Sequence, residues 1–89
     1  MILWLTPYHP DVFAATARHP ALDAWIRGVP DSLQRIAAKH GVAFVNLQTI
    51  DKFDGDPTDF YDCVHFGNAN AGKVTALLLA ARATLPTTP

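Results

Sequence analysis

Glutamate is absent from this chain. All eight acidic residues are aspartate, set against seven basic ones for a formal charge of -1. So even a balance supplies no general attraction to a phosphate backbone, and the basic residues are scattered, so nucleic acid is not an expected partner. A single cysteine, Cys63, excludes an internal disulfide framework and a CxxC metal or redox site. Ser32 is the only serine, so a local serine nucleophile has one candidate. Long apolar runs are missing too. "MILWLTPYHP" opens apolar, but it is too short to span a bilayer and has no basic residues before it. It reads as structure rather than as a signal peptide, direct membrane insertion is not expected, and no compartment follows.

What is present is the composition of one small globular domain. Eighty-nine residues with 49% hydrophobic side chains can bury a modest core with a thin stability margin. "ILWLT" (Ile2 to Thr6) fits a short buried strand ended by Pro7, with Trp4 expected in the core. Prolines 7 and 10 then favour an irregular loop. Residues 11–19 suit one or two helical turns with Asp11 as a possible cap. Pro20 suits the start of a second piece, which Gly28 and Pro30 are expected to interrupt. "DSLQRIAAKHG" reads as a separate helix, capped by Asp31, with Leu33, Ile36 and Ala37 inward and Gly41 at its end.

"VAFVNL" (Val42 to Leu47) follows that glycine directly, as a parallel strand follows its crossover helix. Two strands joined through helices make a β-α-β unit. Asp54, Gly55, Asp56 and Pro57 mark turns. Asn68 or Asn70 can cap a last helix in which Val74, Leu77, Leu78 and Ala81 form an apolar stripe, widened by Leu79 and Leu85. Two strands are too few for a sheet buried on both faces. The sequence therefore reads as the last part of a larger α/β domain, or as a small domain completed by another chain.

The chemistry-bearing stretch is "FYDCVHF", residues 60–66. On a helical turn, residues three apart share one side, so Asp62 can accept a hydrogen bond from His65 Nδ1 and leave Nε2 free. A carboxylate then fixes the tautomer of an imidazole that works as general base near neutrality. The plain alternative is that Asp62 caps a turn and His65 is its half-buried partner.

"DFYDCVHFGNANAGKVTALLLA" resembles the last block of the SGNH (GDSL-type) esterase superfamily, above all the branch of polysaccharide O-acetyltransferases. "ILWLTPYHP" resembles the late core strand and loop of that fold. The resemblance implies a catalytic acid at Asp62 and a catalytic base at His65. It also implies the C-terminal part of a three-layer α/β/α, flavodoxin-like domain with a parallel sheet, over residues 1–85, with 86–89 as a tail. The family's Gly-Asp-Ser-like nucleophile block and its oxyanion-hole residues have no counterpart here. The implied protein is thus an ester hydrolase or O-acyltransferase acting on an acylated small molecule or polysaccharide, with a missing N-terminal portion or partner chain supplying the serine. Alone, this chain is expected to be inactive. The alternative is a non-catalytic structural or interaction protein completed by a partner chain.

Other residues carry less. Ser32 is placed at the opposite end of the sheet from the motif, and Cys63 reads as a small buried apolar residue. Asp54, Asp56, Asp59, Asp62 and His65 crowd one segment without calcium-loop spacing, and zinc would require His9 to join Asp62 and His65. No metal or cofactor is expected. Tyr8 and His9 either line the same cleft as His65 or form a surface loop held by two prolines. His19 and His40 read as structural or exposed.

Overall fold

The structure, a computed structural model, describes residues 1–84. Leu85 of the expected apolar stripe and the 86–89 tail lie outside the described residues. Strand β1 (Ile2–Leu5) and strand β2 (Ala43–Asn46) pair in parallel, with Ile2 opposite Ala43 and Leu5 opposite Asn46. Parallel strands cannot be joined by a tight turn. Helices α1 (Pro10–Thr16) and α2 (Pro20–His40) fill the connection, and a 3₁₀ turn (Ile50–Lys52), an irregular segment and helix α3 (Asn68–Ala83) follow β2. The described residues thus form a mixed α/β domain with a small parallel sheet and three helices.

Helix α1 begins one residue earlier than its sequence suggests, because Pro10 already has the φ a first helical residue needs. The cap is consequently His9 rather than Asp11: His9 Nδ1 accepts the Asp11 N–H at 3.0 Å. Asp11 falls inside the first turn, where a negative charge suits the helix dipole. At the other end, the Thr16 hydroxyl donates to Asp23 Oδ1 at 2.7 Å, and Arg27 Nε reaches both Asp23 oxygens at 3.0 and 3.1 Å. The Arg27 guanidinium also lies 5.0 Å over the Phe13 ring, so α1 is fastened to α2 by charge, hydroxyl and aromatic face together.

The expected interruption at Gly28 and Pro30 does not occur, nor does a separate helix capped by Asp31. Helix α2 runs unbroken through Pro30. A proline inside a helix leaves the carbonyl four residues earlier without a donor, here that of Ile26. Gln48, buried just beyond β2, fills the vacancy: its Nε2 donates to the Ile26 carbonyl at 2.8 Å. One long-range side chain therefore replaces the bond that proline removes. Gly41 ends the helix at φ 66°, the left-handed conformation that a side chain resists, as its sequence suggests.

The core is small. Leu47, Phe53 and Val74 are buried together, with Val45, Ile50, Phe66 and Leu78 packed partly against them. Ala37 is fully buried on α2, whereas Ile36 of the expected inward face is exposed. Of the α3 stripe, Val74 is buried and Leu78 and Ala81 are half-buried, but Leu77 and Leu79 face water. Trp4 is not a core residue; it is 37% exposed on β1. Among the described residues each strand has one neighbour, so β1 and β2 each keep one edge without strand partners.

Candidate functional site: an aspartate–histidine pair on a pinned loop

The segment from 54 to 67 has almost no regular structure, yet most of its polar groups are matched. Asp54 sits at φ 54°, a left-handed turn position that a short polar side chain tolerates, and its carbonyl accepts from Lys73 Nζ at 2.6 Å. Asn70, fully buried in the first turn of α3, is the pin. Its Oδ1 accepts the Asp56 N–H at 2.7 Å, and its Nδ2 donates to the carbonyls of Asp56 and Asp59 at 2.9 and 3.0 Å. Asp59 returns the contact, accepting the Asn70 N–H on Oδ2 at 2.7 Å.

Helix α3 is thus capped from the loop rather than by its own Asn68 or Asn70, because the residue before it, Gly67, has no side chain to offer. Gly67 also donates its N–H to the Asp59 carbonyl at 2.8 Å, and a Cβ there would collide with the Asp59 carboxylate.

On this base the chain closes a short antiparallel bridge between Phe60 and Phe66, with the Tyr61 N–H donating to the His65 carbonyl at 2.8 Å. Asp62 and His65 stand on the tip between them. They meet because the loop closes on itself, not because they share a helix face; residues 61–64 are a bend. The two carboxylate oxygens divide two tasks. Oδ1 accepts the Val64 and His65 N–H groups, both at 2.8 Å, which shapes the turn. Oδ2 meets His65 Nδ1 at 2.7 Å.

Turn cap and imidazole holder are therefore one residue. Three donors stabilise the ionised form of Asp62 and hold its carboxyl below the ordinary 3.8: first the Val64 amide, then the His65 ring, then the His65 amide. An ionised carboxylate only accepts hydrogen bonds, so Nδ1 carries the proton and neutral His65 keeps its lone pair on Nε2. His65 is not half-buried. Its side chain is 72% exposed and that of Asp62 is 55% exposed.

Residues from the start of α1 approach this tip. His9, Asp11, Pro57, Phe60, Asp62 and Cys63 line an open cleft of about 290 Å³. His9 therefore shares a cleft with the pair's aspartate, while Tyr8 belongs to a separate hollow with Pro10, Phe13 and Arg27. Cys63 is exposed, not a buried apolar residue, because it lies on a loop tip that nothing covers. Ser32 lies within α2, exposed, and lines a hollow with Trp25 and Leu33 rather than this cleft. His19 and His40 are exposed at the two ends of α2.

Among the described residues, no three His, Cys, Asp or Glu side chains converge as metal ligands, and no helix is long and apolar enough to cross a membrane. No family model, curated protein or solved structure matches the chain. Sequence reasoning weighed His9 without giving it a role, weighed Asp59 only as one of a crowd of possible metal ligands, and missed Gln48 altogether. Asn70 offered one signal, an amide in the first turn of a helix that follows an Asp-rich loop.

Proposed function

We propose that this chain supplies the acid–base half of a Ser-His-Asp acyl-transfer site, as the C-terminal part of an SGNH-type ester hydrolase or O-acyltransferase. The observation behind it is the 2.7 Å contact between Asp62 Oδ2 and His65 Nδ1 on a largely exposed imidazole. In this reading His65 Nε2 takes the proton of a serine hydroxyl as its oxygen attacks an ester carbonyl. It then returns that proton to the departing alcohol. The acyl-serine is released when His65 activates water or a sugar hydroxyl in the same way, while Asp62 holds the ring and stabilises the imidazolium. The serine and the oxyanion donors lie outside these 89 residues, on a preceding portion of the polypeptide or on a partner chain. That missing part would also shelter the pair, whose present exposure leaves its attraction screened by water.

Packing around β2 supports the three-layer arrangement that such a domain requires. Side chains alternate along a strand. Val45 of β2 and Leu47 just beyond it join the cluster with Val74 and Leu78 of α3, while α2 also packs against β2.

The test is hydrolysis of a small activated ester. The 89-residue chain is expected to give no turnover of its own. A polypeptide that joins it to a Gly-Asp-Ser-like segment is expected to lose on the order of 10⁶-fold in kcat with His65→Ala and on the order of 10⁴-fold with Asp62→Asn. Activity of the isolated chain that needs His65 but survives Ser32→Ala and Cys63→Ala would overturn the reading, since it would reveal a complete site of another design.

A second reading, a non-catalytic interaction protein completed by a partner, draws on the uncovered apolar side chains. Trp25 is 69% exposed on α2, near exposed Leu22, and both strands have open edges. Under it, substituting Trp25 abolishes assembly while substituting His65 changes nothing.

A further inference from the structure

We propose that His9 is the positioning residue of the Asp62/His65 pair. It grips the loop that carries the pair at three places. Its backbone N–H donates to the Cys63 carbonyl at 2.8 Å, between the two members of the motif. Its ring Nε2 meets the Pro57 carbonyl at 2.9 Å, where the loop begins. Its ring packs at right angles against the Phe60 ring, with centroids 5.2 Å apart at 87°.

The fourth contact decides the state of the ring. Nδ1 accepts the Asp11 N–H at 3.0 Å, so the proton sits on Nε2, the nitrogen facing Pro57. The first turn of α1 thereby orients a ring that in turn holds both flanks of Asp62. Nothing within the loop replaces this grip. The Phe60–Phe66 bridge closes the tip on itself, and Asn70 fastens the other side, but His9 alone among these ties the 57–63 backbone to the sheet's first strand and its loop.

Calling the role positioning rests on the acyl-transfer reading, in which the direction of His65 Nε2 matters. The grip itself does not, so its test reads the geometry of the pair and needs no turnover. In the full 89-residue chain, nitrogen chemical shifts of neutral His65 report the ratio of its Nδ1–H to Nε2–H forms. His9→Phe keeps a ring against Phe60 and deletes both ring hydrogen bonds. It is expected to lower that ratio about fivefold, the weight of one neutral hydrogen bond, with helix content unchanged. His9→Gln restores a donor toward Pro57 and is expected to hold the ratio near the wild-type value. Gly41→Ala weakens the fold at the far end of α2 and is expected to leave the ratio alone.

An unaltered ratio in His9→Phe overturns the proposal. So does an equal loss in His9→Gln and Gly41→Ala, which would reduce His9 to a general contributor to stability. Should His9→Phe fail to fold, His9→Leu, which also lacks both ring nitrogens, takes its place: a ratio lower than in His9→Gln supports the grip, and one equal to it sinks the proposal. A failure of this kind leaves the ester-hydrolysis test standing, and a failed hydrolysis test leaves the grip standing.

Discussion

Two parts of this molecule solve the same problem in opposite ways. The loop from 54 to 67 is irregular, but Asn70, Lys73 and His9 satisfy parts of its backbone from outside. The sheet is regular, but its two short strands have bare edges, and apolar side chains nearby such as Trp4 and Trp25 remain in water. Order in the loop comes from matched polar groups, some within it and others on α3 and at the start of α1. Order in a parallel sheet comes from burial on both faces and pairing on both sides, which two strands cannot supply by themselves. The loop is thus held by polar partners, whereas the sheet depends on burial.

Breaking the loop's pin gives the largest expected effect. Asn70→Ala deletes three hydrogen bonds and leaves the half-buried Asp56 N–H without its partner, at a cost of about 3 kcal/mol in urea unfolding. The Nδ1–H signature of His65 should vanish with it. A cost below about 1 kcal/mol would mean that water serves the loop as well as Asn70 does.

Next comes the repair inside α2. Gln48→Leu leaves the Ile26 carbonyl without its donor and is expected to cost about 1–2 kcal/mol. Pro30→Ala in the same chain returns a backbone N–H to that carbonyl and should recover most of the loss. A double-mutant cycle measures the coupling, and strict additivity would show that the two groups do not compensate one another.

Acid acts more diffusely. Asp23, held chiefly by the Thr16 hydroxyl, and Asp56, held chiefly by the Thr58 hydroxyl, titrate below the ordinary carboxylate value. So do Asp51, through the Thr49 hydroxyl, and Asp62, through the Val64 amide. A folded-state pKa below the unfolded one adds stability that is complete above about pH 4 and is lost as the pH falls through the folded value. Tm should therefore be level from about pH 5 to 6 and drop below about pH 4. Asp62→Asn should shallow that acid limb; a limb of unchanged depth would mean that the pair is already open in solution.

The smallest effect sharpens the other side of the comparison. Trp25→Lys on the uncovered face of α2 should change the stability of this chain by no more than about 0.5 kcal/mol. A larger loss, or a change in sedimentation behaviour, would show that the face is occupied.

Much of the fold was legible from short-range pattern. The apolar runs at 2–6 and 42–47 became β1 and β2 because buried parallel strands are apolar throughout, and Gly41 ended its helix because few other residues accept φ 66°. The turns at 54–57 and the helix from the high 60s followed from their punctuation. Asp62 and His65 were readable as a pair from spacing alone, although their contact arises from a closed bend rather than a helical turn.

Where the reading failed, a distant residue intervened. Pro30 reads as a helix breaker to anyone who sees only its neighbours. It is tolerated because Gln48, eighteen positions on, hands its amide to Ile26. Asn68 and Asn70 read as caps, and the cap came from Asp59. His9 and Asp11 exchanged roles once Pro10 had set the start of α1.

By itself, then, the sequence determined which residues prefer strand, helix or turn, and it set an acid three places before a base. Those preferences reside in φ and ψ and in side chains close along the chain, where each residue acts alone or with near neighbours. Tertiary structure alone decided which carbonyl Gln48 completes, which amide Asp59 caps and which loop His9 holds. Each of those is a partnership between residues far apart in order, and a hydrogen bond across that distance exists only after packing has brought donor and acceptor within about 3 Å.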